Sequence, residues 1–191
     1  MNLQPEYLED NLTKLVPLQE KDFNALFEVA SDPKIWEQHP VSDRHKKEIF
    51  QKFFEGAVEC KSSFVILDKL SGKIIGSTRY YDYDEVHSAI AVGYTFLSRK
   101  YWGGAYNLSS KNLLLNYAFK YVNTVIFHIG VDNIRSQKAI DKLGAKKIKE
   151  LYKDYSGKMV LNYQYEIKKK GVDITSGNRK DTTSFEIIFN Q

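Results

Sequence analysis

Residues 99–119 read RKYWGGAYNLSSKNLLLNYAF. An aromatic and basic run meets two adjacent glycines, Gly103 and Gly104, and then settles into helical spacing, with Leu108, Leu115, Ala118, Phe119 and Val122 recurring and Ser109, Lys111, Asn112, Asn116 and Lys120 between them. A helix that starts directly after two glycines presents backbone N–H groups with no partner inside the helix, and glycine lets a bulky anion come close to the backbone. This stretch is a phosphate cradle in principle, with Arg99, Lys100 and Lys111 adding positive charge. The same turn also serves purely structural needs. Neither GxxxxGK[ST] nor GxGxxG occurs, so nucleoside triphosphates and dinucleotides lack their usual signatures.

Working outward, NTVIFHIG after the helix reads as a short buried strand, and strand, helix, strand implies a right-handed parallel crossover. Upstream, SSFVILD, a Ser71-Gly72 turn and KIIGSTRYY form an antiparallel hairpin, and HSAIAVGYTFL adds a third strand after the acidic turn DYDE. Gly93 inside that apolar run marks a bulge or a close approach by ligand or backbone, and a bulge there splays the strand from its parallel neighbour. Downstream, Asn133 caps NIRSQKAIDKL, Gly144 stops it, and AKKIKELY, DYSG and KMVLNYQYEI form a closing hairpin. Residues NLTKLVPL read as a strand. EKDFNALFEVAS places Phe23, Leu26, Phe27 and Ala30 on one helical face, and a second helix starts at Ser42 or Asp43 with Ile49, Phe53 and Val58 as its apolar side. The chain is α/β, with a mixed, mainly antiparallel sheet.

Composition sets limits. The 191 residues, 42% hydrophobic and 14% aromatic, suffice for one core. One domain is expected over 1–168, with 169–191 a tail or extra edge strand whose apolar run Phe185–Phe189 offers a route to a homodimer. Cys60 has no partner for a disulfide and is read as packing. No apolar run is long enough to cross a bilayer and the start lacks a signal-like segment, so a cytoplasmic protein is expected. A net charge of +4 spread along the chain suits one anionic small molecule better than nucleic acid. The four histidines, His39, His45, His87 and His128, show no metal-ligand spacing.

VGYTF, YWGGAYN and VDNIRSQKAIDKLGA together resemble the GCN5-related N-acetyltransferase (GNAT) superfamily, in its ribosomal-protein N-terminal acetyltransferase-like branch, over about Asn11 to Ile167. The resemblance implies a sheet splayed between its central parallel strands, helices on both faces, and acetyl transfer from acetyl-CoA to a primary amine without a metal. It implies that the backbone of Trp102, Gly103, Gly104, Ala105, Tyr106 and Asn107, with Lys100 beside it, holds the pyrophosphate. Ala105 stands where the family more often has glycine. Val92 and Tyr94 would pair with the pantetheine arm, a backbone amide there would polarise the thioester carbonyl, and Asn133 and Ser136 would face the same arm.

The reaction needs a neutral amine. Deprotonating a lysine-type amine at neutral pH costs about 4–5 kcal/mol, an α-amine about 1 kcal/mol, so a base helps either. Ala91 stands where many relatives carry a glutamate, and Ile140 where they carry a tyrosine acid. His128 lies where ribosomal-protein alanine acetyltransferases have a catalytic glutamate and can accept a proton near neutrality. Ser136 can orient or relay, and Glu85 and His87 are fallback bases at the acidic turn. Trp36, Tyr80, Tyr81 and Tyr83 are candidates to line the acceptor pocket. The vacant Ala91 and Ile140 positions keep a second reading open, a non-catalytic acyl-CoA-binding or sensing module.

Overall fold

The computed structural model describes residues 1–155 and 157–170. Among them a mixed sheet of eight strands runs in the order β1-β2-β3-β4-β5-β6-β8-β7. The strands are β1 (Leu8–Glu9), β2 (Thr13–Pro17), β3 (Ser63–Asp68), β4 (Ile74–Asp84), β5 (Ala89–Leu97), β6 (Thr124–Gly130), β7 (Lys146–Tyr155) and β8 (Lys158–Lys168), and the helices are α1 (Phe23–Ala30), α2 (Lys47–Glu59), α3 (Ala105–Ala118) and α4 (Ile134–Asp141). Only β5 and β6 pair in parallel, and every other neighbouring pair is antiparallel. The mixed, mainly antiparallel sheet read from the sequence is therefore present. The two-residue β1 was not anticipated.

Side chains alternate across each strand, so the sheet buries two separate apolar layers. Phe64, Ile66, Ile90 and Val92 pack with Leu114, Ala118 and Ile140 of α3 and α4. Val65 and Phe96 pack on the other face with Leu26, Ala30, Phe50 and Phe54 of α1 and α2. Helices thus cover both faces, as expected.

Two helical faces differ from their sequence reading. The buried side of α2 is Phe50, Phe54 and Ala57, one position round from Ile49, Phe53 and Val58, and α2 starts at Lys47 after a separate turn over Ser42–His45. In α3, Ser109, Ser110 and Lys111 are buried while Leu108 is exposed. Thr13 meets the Ser109 hydroxyl, which donates to Asp10 Oδ2 at 2.7 Å. Ser110 donates to Asn107 O within α3 and Lys111 to Thr95 of β5, so each buried polar group has a partner and periodicity misassigns the face. Cys60 is exposed rather than packed, with its Sγ hydrogen-bonded to the hydroxyls of Ser62 and Ser63 at 3.2 Å. The Phe185–Phe189 segment and nearly all of the proposed tail lie outside the described residues.

Candidate active site

The parallel pair at the sheet's centre is short. Ala89, Ile90 and Ala91 pair with Thr124, Val125 and Ile126, and beyond these three positions the strands separate. On its other side β5 stays on β4, but Ser77 faces Phe96 while Arg79 faces Gly93, so β5 spends one residue more than β4. The bulge is therefore at Tyr94–Thr95, just past Gly93. Tyr94 takes φ +52°, a left-handed backbone costly for a bulky residue. Gly93 serves a different purpose from the one expected of it. A Cβ there would stand 2.9 Å from Cε1 of Tyr81, so its bare backbone makes room for that ring.

Two adjoining cavities open where the strands part. The larger, about 330 Å³, is walled by Trp36, His39, Val41 and Arg44 from the α1–α2 connection, Tyr81 of β4, Val92 to Thr95, Asn107, Lys111, residues 127–130 of β6, Asn133, Ser136 and Ile140 of the α4 segment, and Lys153 to Tyr155. The smaller, about 160 Å³, runs from Thr95–Leu97 past Tyr101, Trp102 and Gly103 to Asn133, Arg135 and Ser136. Trp36, His39, Thr95, Asn107, Asn133, Ser136 and Ala139 border both.

At the mouth of the smaller cavity, Gly103 takes φ +71°, which turns the chain into α3, and no side chain caps that helix at Gly104. Nothing lies within 4 Å of where side chains on Gly103 and Gly104 would begin. Uncapped N–H groups beside an unobstructed glycine pair suit an anion such as a diphosphate. Trp102 is fixed by its Nε1–H donating to Leu97 O at 2.8 Å, with the Arg135 guanidinium 4.0 Å from its ring centre. Arg135 also donates to Ile35 O at 2.8 Å and pairs with Glu37 at 3.5 Å. The sequence reading passed over Arg135. Its position two residues after Asn133 was the available signal.

Of the expected cofactor residues, Val92, Tyr94, Trp102, Gly103, Asn107, Asn133 and Ser136 line the cavities. Lys100, Gly104, Ala105 and Tyr106 do not. Lys100 and Gly104 are exposed on the turn leading into α3, Ala105 is exposed at its first position, and the Tyr106 hydroxyl turns away to donate to Asp68 Oδ1 at 3.2 Å. Arg99 is engaged by Asp32, which removes it as a free cation. Asn133 caps α4, its Oδ1 accepting from Ser136 N at 3.1 Å.

Among the expected catalytic groups, His128 and Ser136 line the larger cavity and Glu85 does not. Glu85 is exposed in the β4–β5 turn. His87 beside it is likewise exposed and bonds Asp84 at 2.6 Å. These two belong to a solvated turn. His128 is not alone, because its Nδ1 lies 3.0 Å from the Tyr81 hydroxyl. Burial, with help from Lys153, holds its pKa below the ordinary histidine value of 6.5. Burial raises the Tyr81 phenol's, keeping it protonated. Trp36 and Tyr81 border the larger cavity, whereas Tyr80 is fully buried in the core and Tyr83 is exposed.

Lys111 departs furthest from expectation. Rather than standing at the cradle, it points inward, 4% exposed, with Nζ donating to Thr95 Oγ1. Thr95 Oγ1 also contacts Thr78 Oγ1 at 2.8 Å. No carboxylate pairs with Lys111 among the described residues, and burial pushes its pKa down to about 7. Among the described residues no three His, Cys, Asp or Glu side chains are grouped to hold a metal. No helix there is long and apolar enough to cross a membrane.

The same architecture is known from solved structures. A GNAT-family acetyltransferase from Bacillus anthracis superimposes with TM-score 0.71 at 17% identity, covering 85% of this chain and 98% of that one. RimJ of Mycobacterium smegmatis, solved with CoA-disulfide, gives 0.63 at 15% identity over 82% and 81%. A ribosomal-protein alanine acetyltransferase from Vibrio fischeri gives 0.64 at 19% identity over 85% and 96%. At these identities the likeness is one of fold. The family model for the acetyltransferase (GNAT) domain matches residues 13–146, well over half the chain, which takes in the bulged strand, the cradle and the Asn133 cap. The chain belongs to the GNAT acetyltransferase family and is an acetyl-CoA-dependent N-acetyltransferase.

Proposed function

We propose that this enzyme moves the acetyl group to a primary amine by direct attack within a ternary complex, along the lines of the ribosomal-protein N-terminal acetyltransferase-like branch. The observation that carries this is the parting of β5 and β6 after three paired positions, with the uncapped start of α3 at the mouth of the opening. Acetyl-CoA supplies the activated acyl group. Trp102, Gly103 and Asn107 would hold its diphosphate end, and Val92, Tyr94, Asn133 and Ser136 its extended arm.

The amine nitrogen forms a bond to the acyl carbon, the carbon–sulfur bond breaks, the nitrogen loses a proton and the thiolate gains one. For the first proton we assign Tyr81 and His128 together. With Nδ1 unprotonated the phenol donates to it, so a proton arriving at the Tyr81 oxygen is matched by one leaving to the ring. For the second we assign Lys111, which shares the cavity wall with Ile140, the residue in the expected acid position. A group with pKa about 7 is matched to a thiolate, whose thiol pKa lies near 8.5. Ser136, at the border of both cavities, would orient the arm.

The test is release of free thiol from acetyl-CoA in the presence of peptide N-termini, polyamines, aminoglycosides and amino acids. Amine-dependent release supports catalysis, whereas coenzyme A binding with no such release supports an acyl-CoA sensor.

A further inference from the structure

The larger cavity holds an unbalanced set of hydrogen-bond donors along its His39, Val41 and Arg44 wall. Arg44, at 8% exposure, has its guanidinium carbon 4.5 Å from the ring centre of Phe53 and 5.5 Å from that of Trp36. No carboxylate forms an ion pair with it among the described residues, and its one side-chain hydrogen bond there is Nη1 to His39 Nε2 at 3.0 Å. His39 Nδ1, however, faces the Val41 backbone N–H at 2.9 Å. A neutral imidazole has one lone pair to offer, not two. Burial first, and the Arg44 charge second, push the His39 pKa down to about 3, so the ring is neutral. Either Arg44 Nη1 or Val41 N–H therefore lacks an acceptor, and Arg44, His39 and Val41 all line the cavity.

Among the described residues the carboxylate lining the same cavity as Arg44 is Asp154, and it forms no ion pair with Arg44. Lys153 is paired with Asp82 at 3.1 Å, and the exposed Asp154 accepts from Gly157 N at 2.6 Å. Tyr94 and Tyr155 stand beside Arg44, the latter donating to Asn162 Oδ1 at 3.0 Å, and Tyr81, Lys111 and His128 also line the cavity. A second guanidinium, Arg79, lies 4.2 Å from the Tyr94 ring centre and 5.7 Å from Phe53, its buried Nε without a partner. A buried guanidinium offers a planar fork of donors that matches a carboxylate.

We infer that the acceptor amine carries a carboxylate, as a free α-amino acid does, and that Arg44 receives it. This rests on the acetyltransferase reading above and extends it to the substrate's chemical class. A carboxylate oxygen provides the acceptor that Arg44 Nη1 or Val41 N–H lacks. An α-amine also loses its proton more readily than a lysine-type amine.

The test compares free amino acids with their amides and their decarboxylated amines, at equal concentrations of unprotonated amine, by thiol release. The parent enzyme is expected to favour the carboxylated member at least tenfold in kcat/KM. In Arg44→Met that ratio falls toward one, and Arg44→Lys recovers part of it. Equal use of all three by the parent, or an unchanged ratio in Arg44→Met, overturns the inference. Preference for phosphoethanolamine over every amino acid also overturns it, since the anion is then a phosphate. Circular dichroism checks that each variant is folded, with Arg44→Gln replacing a Met variant that does not melt cooperatively. If no amine releases thiol, the acetyltransferase reading fails. Calorimetry on the coenzyme A-loaded protein then decides the anion site alone. Tighter binding of N-acetyl amino acids than of their amides, lost in Arg44→Gln and partly kept in Arg44→Lys, supports it, and equal binding overturns it.

Discussion

The Tyr81 hydroxyl on β4 lies 3.0 Å from Nδ1 of His128 on β6, reaching across the intervening β5. Two residues 47 apart in sequence become one hydrogen-bonded pair because Gly93, on the strand between them, leaves space for the phenol ring. Replacing His128 with Ala is expected to lower kcat roughly 100-fold, within the range for general acid–base groups, while the KM for acetyl-CoA changes little. Steady-state kinetics across pH checks this. The parent's base is neutral above its lowered pKa, so activity falls with acidification below pH 6.5, and that acid limb disappears in the variant.

Gly93→Ala forces Cβ to within 2.9 Å of the Tyr81 ring. Overpacking of this kind costs about 1–3 kcal/mol. Displacement of the phenol should also cut kcat at least tenfold. Urea denaturation and turnover, measured together, separate the two effects. Retention of full activity in Gly93→Ala would remove the Tyr81–His128 pair from the mechanism.

Lys111 gives a stability signature. Its folded pKa is about 7, against the ordinary lysine value of 10.5. Between those values the unfolded chain binds a proton that the folded chain does not, so its contribution makes stability rise as pH increases. The gain from pH 7 to pH 9 is about 2 kcal/mol. Lys111→Met should be more stable than the parent at pH 7 and should lack this part of the rise. Denaturation curves at the two pH values test it. The same variant is expected to lose turnover if Lys111 protonates the leaving thiolate.

The capping by Asn133 and its proposed contact with coenzyme A can be separated by substitution. Asn133→Ala removes the cap on Ser136 N and should cost about 1 kcal/mol. Asn133→Asp keeps a capping oxygen and so keeps stability, but adds negative charge to both cavities. It should weaken coenzyme A binding severalfold, read by calorimetry. Undiminished binding in both variants would confine Asn133 to capping.

The architecture was legible wherever local pattern and tertiary environment agree. The 71–72 turn, the crossover through α3 and the Asn133 cap all follow from spacing and turn chemistry, and the structure has each of them. The α2 face was displaced because Phe50, Phe53 and Phe54 are all apolar, and a stripe of neighbouring phenylalanines does not say which of them turns inward. Lys111 was unreadable for a different reason. A lysine between polar residues looks solvated, and only the bulged β5 reveals that Thr95 meets its amine. His128 was found from its position relative to Asn133, but its partner Tyr81 was seen only as a possible pocket aromatic. The unmatched donors around Arg44 depend on where two ring nitrogens point, which no linear pattern encodes.

Past Ala91 and Ile126, β5 remains bound to β4 and β6 to β8, so each of the two central strands keeps one backbone edge free inside the sheet. Such edges accept any extended amide chain, whatever its side groups. A short peptidomimetic built as a flat β-segment is therefore a rational starting scaffold for an inhibitor. Because its grip would come from main-chain geometry, point mutations in the lining should confer little resistance to it.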